Sequence, residues 1–212
     1  GQLSSKKGKH MEIQFTTKDK RWIQKTIKKT YKKAAKNPDG LFRYPTGHAG
    51  LTTLKYDPER LQALPSEVAA SYCGVGNPFT LGPINEGDDV LDVGCGAGVD
   101  TLFSAMMTGP SGKVMGIDLT PAMLAKAKNN LSMTDLKNVR FEEGSVENLP
   151  FADEDVNIVT SNGALNLVPD KARAFGEIYR VLKPGGRLMV ADEILIGELP
   201  KEKNKIIKSW AQ

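Results

Sequence analysis

Two rhythms of apolar and polar positions divide the chain. From Thr17 to Lys36, Trp22, Ile23, Ile27, Tyr31, Ala34 and Ala35 recur near helical spacing among nine basic residues. Thr16 or Thr17 is placed to cap this helix, and Asn37-Pro38-Asp39-Gly40 stops it. Its apolar stripe, Trp22 included, is expected to pack on the body while the lysines face water. A phosphate or membrane surface is the competing use of such a basic face. Residues 38–85 are broken by Tyr44-Pro45-Thr46-Gly47, Asp57-Pro58, Leu64-Pro65 and Gly82-Pro83, so only short helices fit, around 58–64 and 65–72, with 71–78 as a loop.

After Asn85 the rhythm changes. β-rich runs at 88–93, 113–119, 139–143, 156–161 and 187–195 alternate with helical patterns at 99–108, 121–132 and 170–182. Strand, helix, strand at this spacing predicts a doubly wound α/β domain, its mostly parallel sheet covered on both faces. The domain expectation is 1–10 as tag or disordered, 11–85 as a helical and loop extension acting as a lid, and 86–212 as the α/β domain.

Charge sharpens that division. Residues 1–36 hold 12 Lys/Arg and 2 acids, the other 176 hold 17 and 23, so a basic segment of +10 sits on a body of −6 within a net +4. That pattern suits an arm or lid over an anionic site. The chain does not begin with Met, and His10-Met11 reads as a junction between vector-derived residues and a native start. Apolar runs such as 188–191 and 194–196 are far below the ~20 residues of a membrane helix, and the first residues lack the apolar centre of a signal peptide. Two cysteines, Cys73 and Cys95, argue for free thiols in a reducing cytoplasm. His10 and His48 offer no metal-ligand spacing, so no metal site is expected.

The chemistry lies in Val90-Leu91-Asp92-Val93-Gly94-Cys95-Gly96-Ala97-Gly98. Its glycines allow a tight turn and close backbone approach, and the following helix presents unpaired N–H groups to an anion. A dinucleotide fingerprint would need glycine at 99, where the chain has Val99. The acid followed by Gly-x-Gly-x-Gly resembles instead the first motif of class I S-adenosylmethionine-dependent methyltransferases. Ile117-Asp118, Glu143-Gly144-Ser145-Val146, Thr160-Ser161-Asn162 and Leu182-Lys183-Pro184-Gly185-Gly186 follow in that family's order. The resemblance runs closest to its arsenite methyltransferase branch, in Tyr72-Cys73-Gly74, Asp118-Leu119-Thr120-Pro121, Leu165-Asn166-Leu167 and Gly197-Glu198-Leu199-Pro200.

That resemblance implies a Rossmann-like fold with S-adenosyl-L-methionine as cofactor. Asp92 and the turn Gly94, Cys95, Gly96, Ala97 and Gly98 would face its methionine part, and Asp118 the ribose hydroxyls. Leu119 and Met123 would flank the adenine, with Ser145 and Val146 on its edge. Asn162 would begin the loop above the sulfonium, and Tyr72 would approach from the preceding segment. Leu119, Met123 and Val146 also suit ordinary core positions. The arsenite branch carries a thiolate after its Ser-Asn pair, where this chain has Gly163, and its loop thiol sits in Tyr-Gly-Cys-Gly rather than beside Tyr72.

Methyl transfer from a sulfonium is an in-line displacement that proximity and exclusion of water can drive, so the catalytic residues stay unassigned. A hydroxyl or carbon-acid acceptor would need a base, for which His48, Tyr44 and Glu193 are candidates. The expected partner is a small-molecule acceptor. An arsenite-type enzyme with an altered thiol set and a non-catalytic cofactor-binding module are the rival readings. Nucleic-acid substrates are disfavoured, because Ser161-Asn162-Gly163-Ala164 lacks the Asn/Asp-Pro-Pro-aromatic turn. The resemblance also implies a final antiparallel pair of strands that is not visible here. The expectation is that the native chain continues past Gln212, or that the fifth strand's edge is paired by a second copy or by the N-terminal segment.

Overall fold

A computed structural model describes residues 15–194. The expected tag at 1–10, Leu195 at the end of the predicted fifth strand and the predicted helical tail lie outside the described residues. Among the described residues seven α-helices run in the order α1 (Thr17–Ala34), α2 (Gly47–Thr53), α3 (Pro58–Ala63), α4 (Ser66–Ala70), α5 (Val99–Thr108), α6 (Pro121–Ser132) and α7 (Lys171–Val181). Five strands alternate with the later ones: β1 (Val90–Val93), β2 (Val114–Asp118), β3 (Val139–Glu143), β4 (Val156–Asn162) and β5 (Leu182–Ala191).

The strands form one parallel sheet in the order β3-β2-β1-β4-β5. Alternation along each strand feeds two cores. Val90, Val114, Phe141, Ile158 and Met189 pack with Leu102 and Phe103 of α5 and Leu124 and Ala127 of α6. Leu91, Val93, Ile117 and Val159 pack on the opposite side with Ile178 and Val181 of α7. Burial of both faces is what a parallel sheet requires. The chain leaves β1 toward β2 on one side and returns to β4 on the other, so the sheet reverses its winding between β1 and β4. That crevice, at the carboxyl ends of the strands, is where such sheets bind ligands.

Three details differ from expectation. Helix α2 arises where turn residues predicted a loop, and its Gly47 N–H is bound by the Tyr72 carbonyl at 2.7 Å, a partner 25 residues away that no local pattern encodes. Trp22 leaves the packed stripe: it is 42% exposed, while Ile23 is fully buried and Ala34 nearly so. The buried line of α1 is Ile23, Ile27, Tyr31 and Ala34. Helical spacing selects it, and Trp22 falls one residue off its axis. Strand β5 begins five residues earlier than expected and stops at Ala191. Val156 pairs with Leu182 but Ile158 with Arg187, so residues 183–186 bulge outward opposite Asn157. The Lys183 ammonium anchors the bulge on Asp89 at 3.0 Å and Asn157 at 3.1 Å. Among the described residues no strand lies beyond β5, and no helix is long and apolar enough to cross a membrane.

Candidate active site

Helix α1 crosses the open end of the crevice. A Thr16–Asp19 capping box starts it. Lys20 bridges to Asp170 at the start of α7 at 3.0 Å, and Lys28 to Glu143 at the end of β3 at 3.3 Å. Beneath it lies a cavity partly open to solvent, with Gln24, Ile27 and Tyr31 of α1 in its wall.

The floor is the turn after β1. Gly94, Gly96 and Gly98 all have positive φ, at 71°, 52° and 83°. A Cβ at Gly94 would collide with the Ala164 side chain, so the turn and the loop after β4 touch here only because the side chain is absent. Asp118 ends β2 beside this turn. Its carboxylate accepts the Gly96 N–H at 3.0 Å and the Thr120 N–H at 2.7 Å. A carboxylate has about four acceptor positions, so these two N–H bonds leave capacity that the Thr120 side chain and a ligand's hydroxyls can share. Burial raises its pKa above the ordinary range, with those two N–H groups and Lys28 opposing the shift.

The far wall is assembled from separate segments. The Asn162 side-chain oxygen accepts the N–H groups of Val75 at 2.8 Å and Gly76 at 3.1 Å, which fixes the orientation of its amide. Its Nδ2 then donates to Asp100 Oδ2 and to the Gly76 carbonyl, both at 2.8 Å. Tyr56 donates to Asp100 Oδ1 at 2.7 Å, and Tyr72 to the Gly76 carbonyl at 2.8 Å. Deeper, Asp92 accepts from the Thr101 and Thr160 hydroxyls at 2.6 and 2.9 Å. Burial, the dominant cause, raises the pKa of both Asp92 and Asp100, and the Asp100 charge pushes Asp92 further up.

Of the residues singled out from sequence, Tyr72, Asp92, Gly94, Cys95, Gly96, Ala97, Asp118, Leu119, Ser145, Val146 and Asn162 line the cavity. Gly98 and Met123 do not. Gly98 packs under Phe141 and Ala127, where a Cβ would strike the Phe141 ring. Met123 is fully buried against Ala34 and Ala97, behind the wall. The candidate bases fare differently again. His48 lies in a shallow depression with Thr52 and Pro58, away from the cavity. Tyr44 donates to the Cys73 carbonyl at 3.1 Å, and burial raises its pKa further. Glu193 is exposed at the end of the described chain. None of these three lines the cavity.

Sequence reading missed Asp100 and Tyr56. Asp100 sits two residues past Gly98 in the first turn of α5, where an acid reads as an ordinary helix-start preference. Tyr56 sits in a turn 44 residues upstream, and its link to Asp100 exists only in three dimensions. Cys73 is half-buried on the wall and Cys95 buried under the turn. Burial pushes the Cys73 thiol up to about 12, with Asp118 and Asp100 adding to the shift, and it raises Cys95 as well. Among the described residues no group of His, Cys, Asp and Glu is arranged to hold a metal ion.

Comparison with known proteins places the chain in a family. An arsenite methyltransferase of Halobacterium salinarum is 40% identical over 157 residues, covering 74% of this chain and 40% of its own length. A demethylmenaquinone methyltransferase of Listeria monocytogenes is 38% identical over 109 residues, covering 51% of this chain and 46% of its own. The crystal structure of an arsenic(III) S-adenosylmethionine methyltransferase from Chlamydomonas reinhardtii superposes with a TM-score of 0.59 at 37% identity, over 64% of this chain and 48% of that one. The chain thus spans less than half the length of these relatives. A family model described as a methyltransferase domain matches residues 84–212, more than half of the sequence, and the chain belongs to that methyltransferase family.

Proposed function

We propose that this chain binds S-adenosylmethionine in the cavity under α1 and transfers its methyl group to a small-molecule acceptor. The observation that carries the reading is Asp118, held at the end of β2 by the Gly96 and Thr120 N–H groups and facing the cavity with free acceptor capacity. A nucleoside ribose matches that carboxylate, and the turn of residues 94–98 leaves backbone exposed to the methionine part. The cofactor supplies an activated methyl group on a good leaving group. The protein's task is then to bind, align and exclude water. Helix α1, with Ile27 and Tyr31 in the wall, covers the cavity, and residues 11–85 serve as its lid. Residues 86–212 form the cofactor-binding domain. Both cysteines are free, which suits a reducing cytoplasm.

The two curated relatives carry different acceptors in their names, a metalloid and a quinone. Cys73 and Cys95 do not favour the metalloid, because burial raises both and a trivalent arsenic ligand must be a thiolate. A Gly163→Cys replacement would not simply restore one, since Gly163 has a φ of 68° and its Cβ would press on Val75.

The test is calorimetric binding of S-adenosylmethionine to wild type and Asp118→Ala, followed by turnover with methyl-labelled cofactor against thiol, phenol, quinone and metalloid acceptors. Loss of the carboxylate is expected to cost about 2–4 kcal/mol of affinity. Wild-type affinity in the variant would remove the ribose assignment. Arsenite-dependent turnover that disappears in Cys73→Ser would overturn the acceptor reading.

A further inference from the structure

The cavity wall contains Asp92, Asp100, Asp118 and Glu147, and among its described residues no Lys, Arg or His. Glu147 accepts the Asp170 N–H at 3.1 Å at the α7 end of the wall, and the three aspartates differ in what they leave for a ligand. Asp92 has both oxygens bound by threonine hydroxyls between β4 and α5. Asp118 sits at the β2 end and is reached by the field of Lys28, as Glu147 is by that of Lys171. Asp100 stands on the far wall, its oxygens shared between the Tyr56 hydroxyl and the Asn162 amide, with no cation acting on it. Asn162 and Tyr72 also line the cavity, so Asp100 places its charge directly behind that surface.

The charge there is uncompensated in the protein alone. In so poorly hydrated a wall, a carboxylate acts on a ligand much more strongly than it would in water. S-adenosylmethionine and its demethylated product share the same adenosine, ammonium and carboxylate. They differ by one methyl group and one positive charge at sulfur. In the transfer, the methyl–sulfur bond breaks with its electron pair left on sulfur, and an acceptor lone pair forms the new bond to carbon. The positive charge passes to the acceptor and leaves with it or with the proton it sheds.

We propose that Asp100 is a specificity-determining residue, one that makes the cavity favour the cationic cofactor over its neutral product and so drives product exchange. The proposal rests on the cofactor reading above. Tyr56, which touches no part of the cavity, is then a positioning residue that fixes the Asp100 carboxylate.

The groups that face Asp100 are Asp92 from β1, Asn162 from β4, Tyr72 and Cys73 from the segment after α4, and Tyr56 from the segment after α2. Burial keeps the tyrosines and the cysteine protonated through neutral pH, so the carboxylates alone titrate there.

The experiment is calorimetry with three ligands on wild type and Asp100→Asn: S-adenosylmethionine, S-adenosylhomocysteine, and the stable analogue with an aminomethylene carbon in place of the methylsulfonium. The variant is expected to lower the affinity ratio of cofactor to product roughly tenfold, with the amine analogue following the cofactor. Equal weakening of all three ligands would show a merely structural role and overturn the proposal, as would an unchanged ratio. A second arm needs no variant. In wild type, lowering the pH from about 8 to 5.5 protonates carboxylates raised by burial, so the cofactor loses affinity relative to its product. A flat ratio across that range overturns the proposal even if Asp100→Asn does not fold. If none of the three ligands binds wild type, the cofactor reading itself fails and takes this one with it.

Discussion

The two sides of the cavity are built by different means. On the β1–β2 side, the turn of residues 94–98 and Asp118 are joined mainly by backbone groups, and Asp118 is fixed by two N–H donors. On the β4 side, Tyr56, Tyr72, Asp100 and Asn162 come from four separate segments and meet through side chains. A backbone-built wall depends on conformation, and only residues that block the conformation disturb it. A wall built from side chains depends on every member, because removing one leaves its buried partners unpaired.

The largest effect should fall on the backbone side. Gly94→Ala adds a Cβ at a φ of 71° that would also collide with the Ala164 side chain. Left-handed strain and overpacking together should cost about 3 kcal/mol of stability, read by denaturant or thermal unfolding. Gly96→Ala makes the sharper comparison. Its φ is 52° but nothing lies within 4 Å, so only about 1–2 kcal/mol of strain is expected. Equal losses at both positions would mean that contact with the β4 loop does not shape the turn.

This asymmetry also explains what could be read from the sequence. The turn, Asp118 and the five strands are local: a spacing of glycines, an acid at a strand end, runs of apolar residues. Each was visible because the chemistry and the sequence neighbours coincide. Tyr56 and Asp100 were not visible, since a tyrosine in a turn and an acid at a helix start have ordinary local explanations. The same reasoning covers Met123 and Gly98, chosen from motif position but placed behind the wall by tertiary packing. The β5 boundary escaped because Pro184-Gly185-Gly186 reads as a break, whereas the strand continues around it as a bulge.

On the side-chain wall, Asn162→Ala should cost about 2–3 kcal/mol. It removes the acceptor for the Val75 and Gly76 N–H groups and the donor to Asp100. Amide exchange should quicken at Val75 and Gly76 while Gly96 and Thr120 keep their protection. Uniform acceleration on both sides would show that the walls open together.

The ligand-free protein should also show the strain of its buried acids as a pH dependence. Asp92, Asp100 and Asp118 have pKa values raised above those of the unfolded chain, so the folded state binds more protons at intermediate pH. Stability should therefore rise, by about 1–2 kcal/mol, as the pH falls from 8 toward 5.5. Below that range the lowered carboxylates act in the opposite sense, Glu177 foremost with a pKa of about 2 beside Arg180. In Asp100→Asn the rise should shrink. An apo unfolding temperature flat from pH 8 to 5.5 would show that these carboxylates stay ionised in the folded state across that range, as they do in the unfolded chain.

The smallest effect is expected at the ion pairs of α1, although the helix covers both walls. Lys20–Asp170 and Lys28–Glu143 tie it to opposite sides of the cavity, but all four side chains are at least a third exposed. Exposed pairs of this kind contribute at most a few tenths of a kcal/mol and are screened by salt. What holds the helix is burial of Ile23 and Ala34 and the half-buried Ile27 and Tyr31. Lys20→Ala with Lys28→Ala should then shift overall stability by less than about 0.5 kcal/mol. Cofactor association should gain only a weak dependence on ionic strength. A stability loss above about 1 kcal/mol that disappears at 0.5 M salt would show that charge, rather than the apolar line, seats α1 over the cavity.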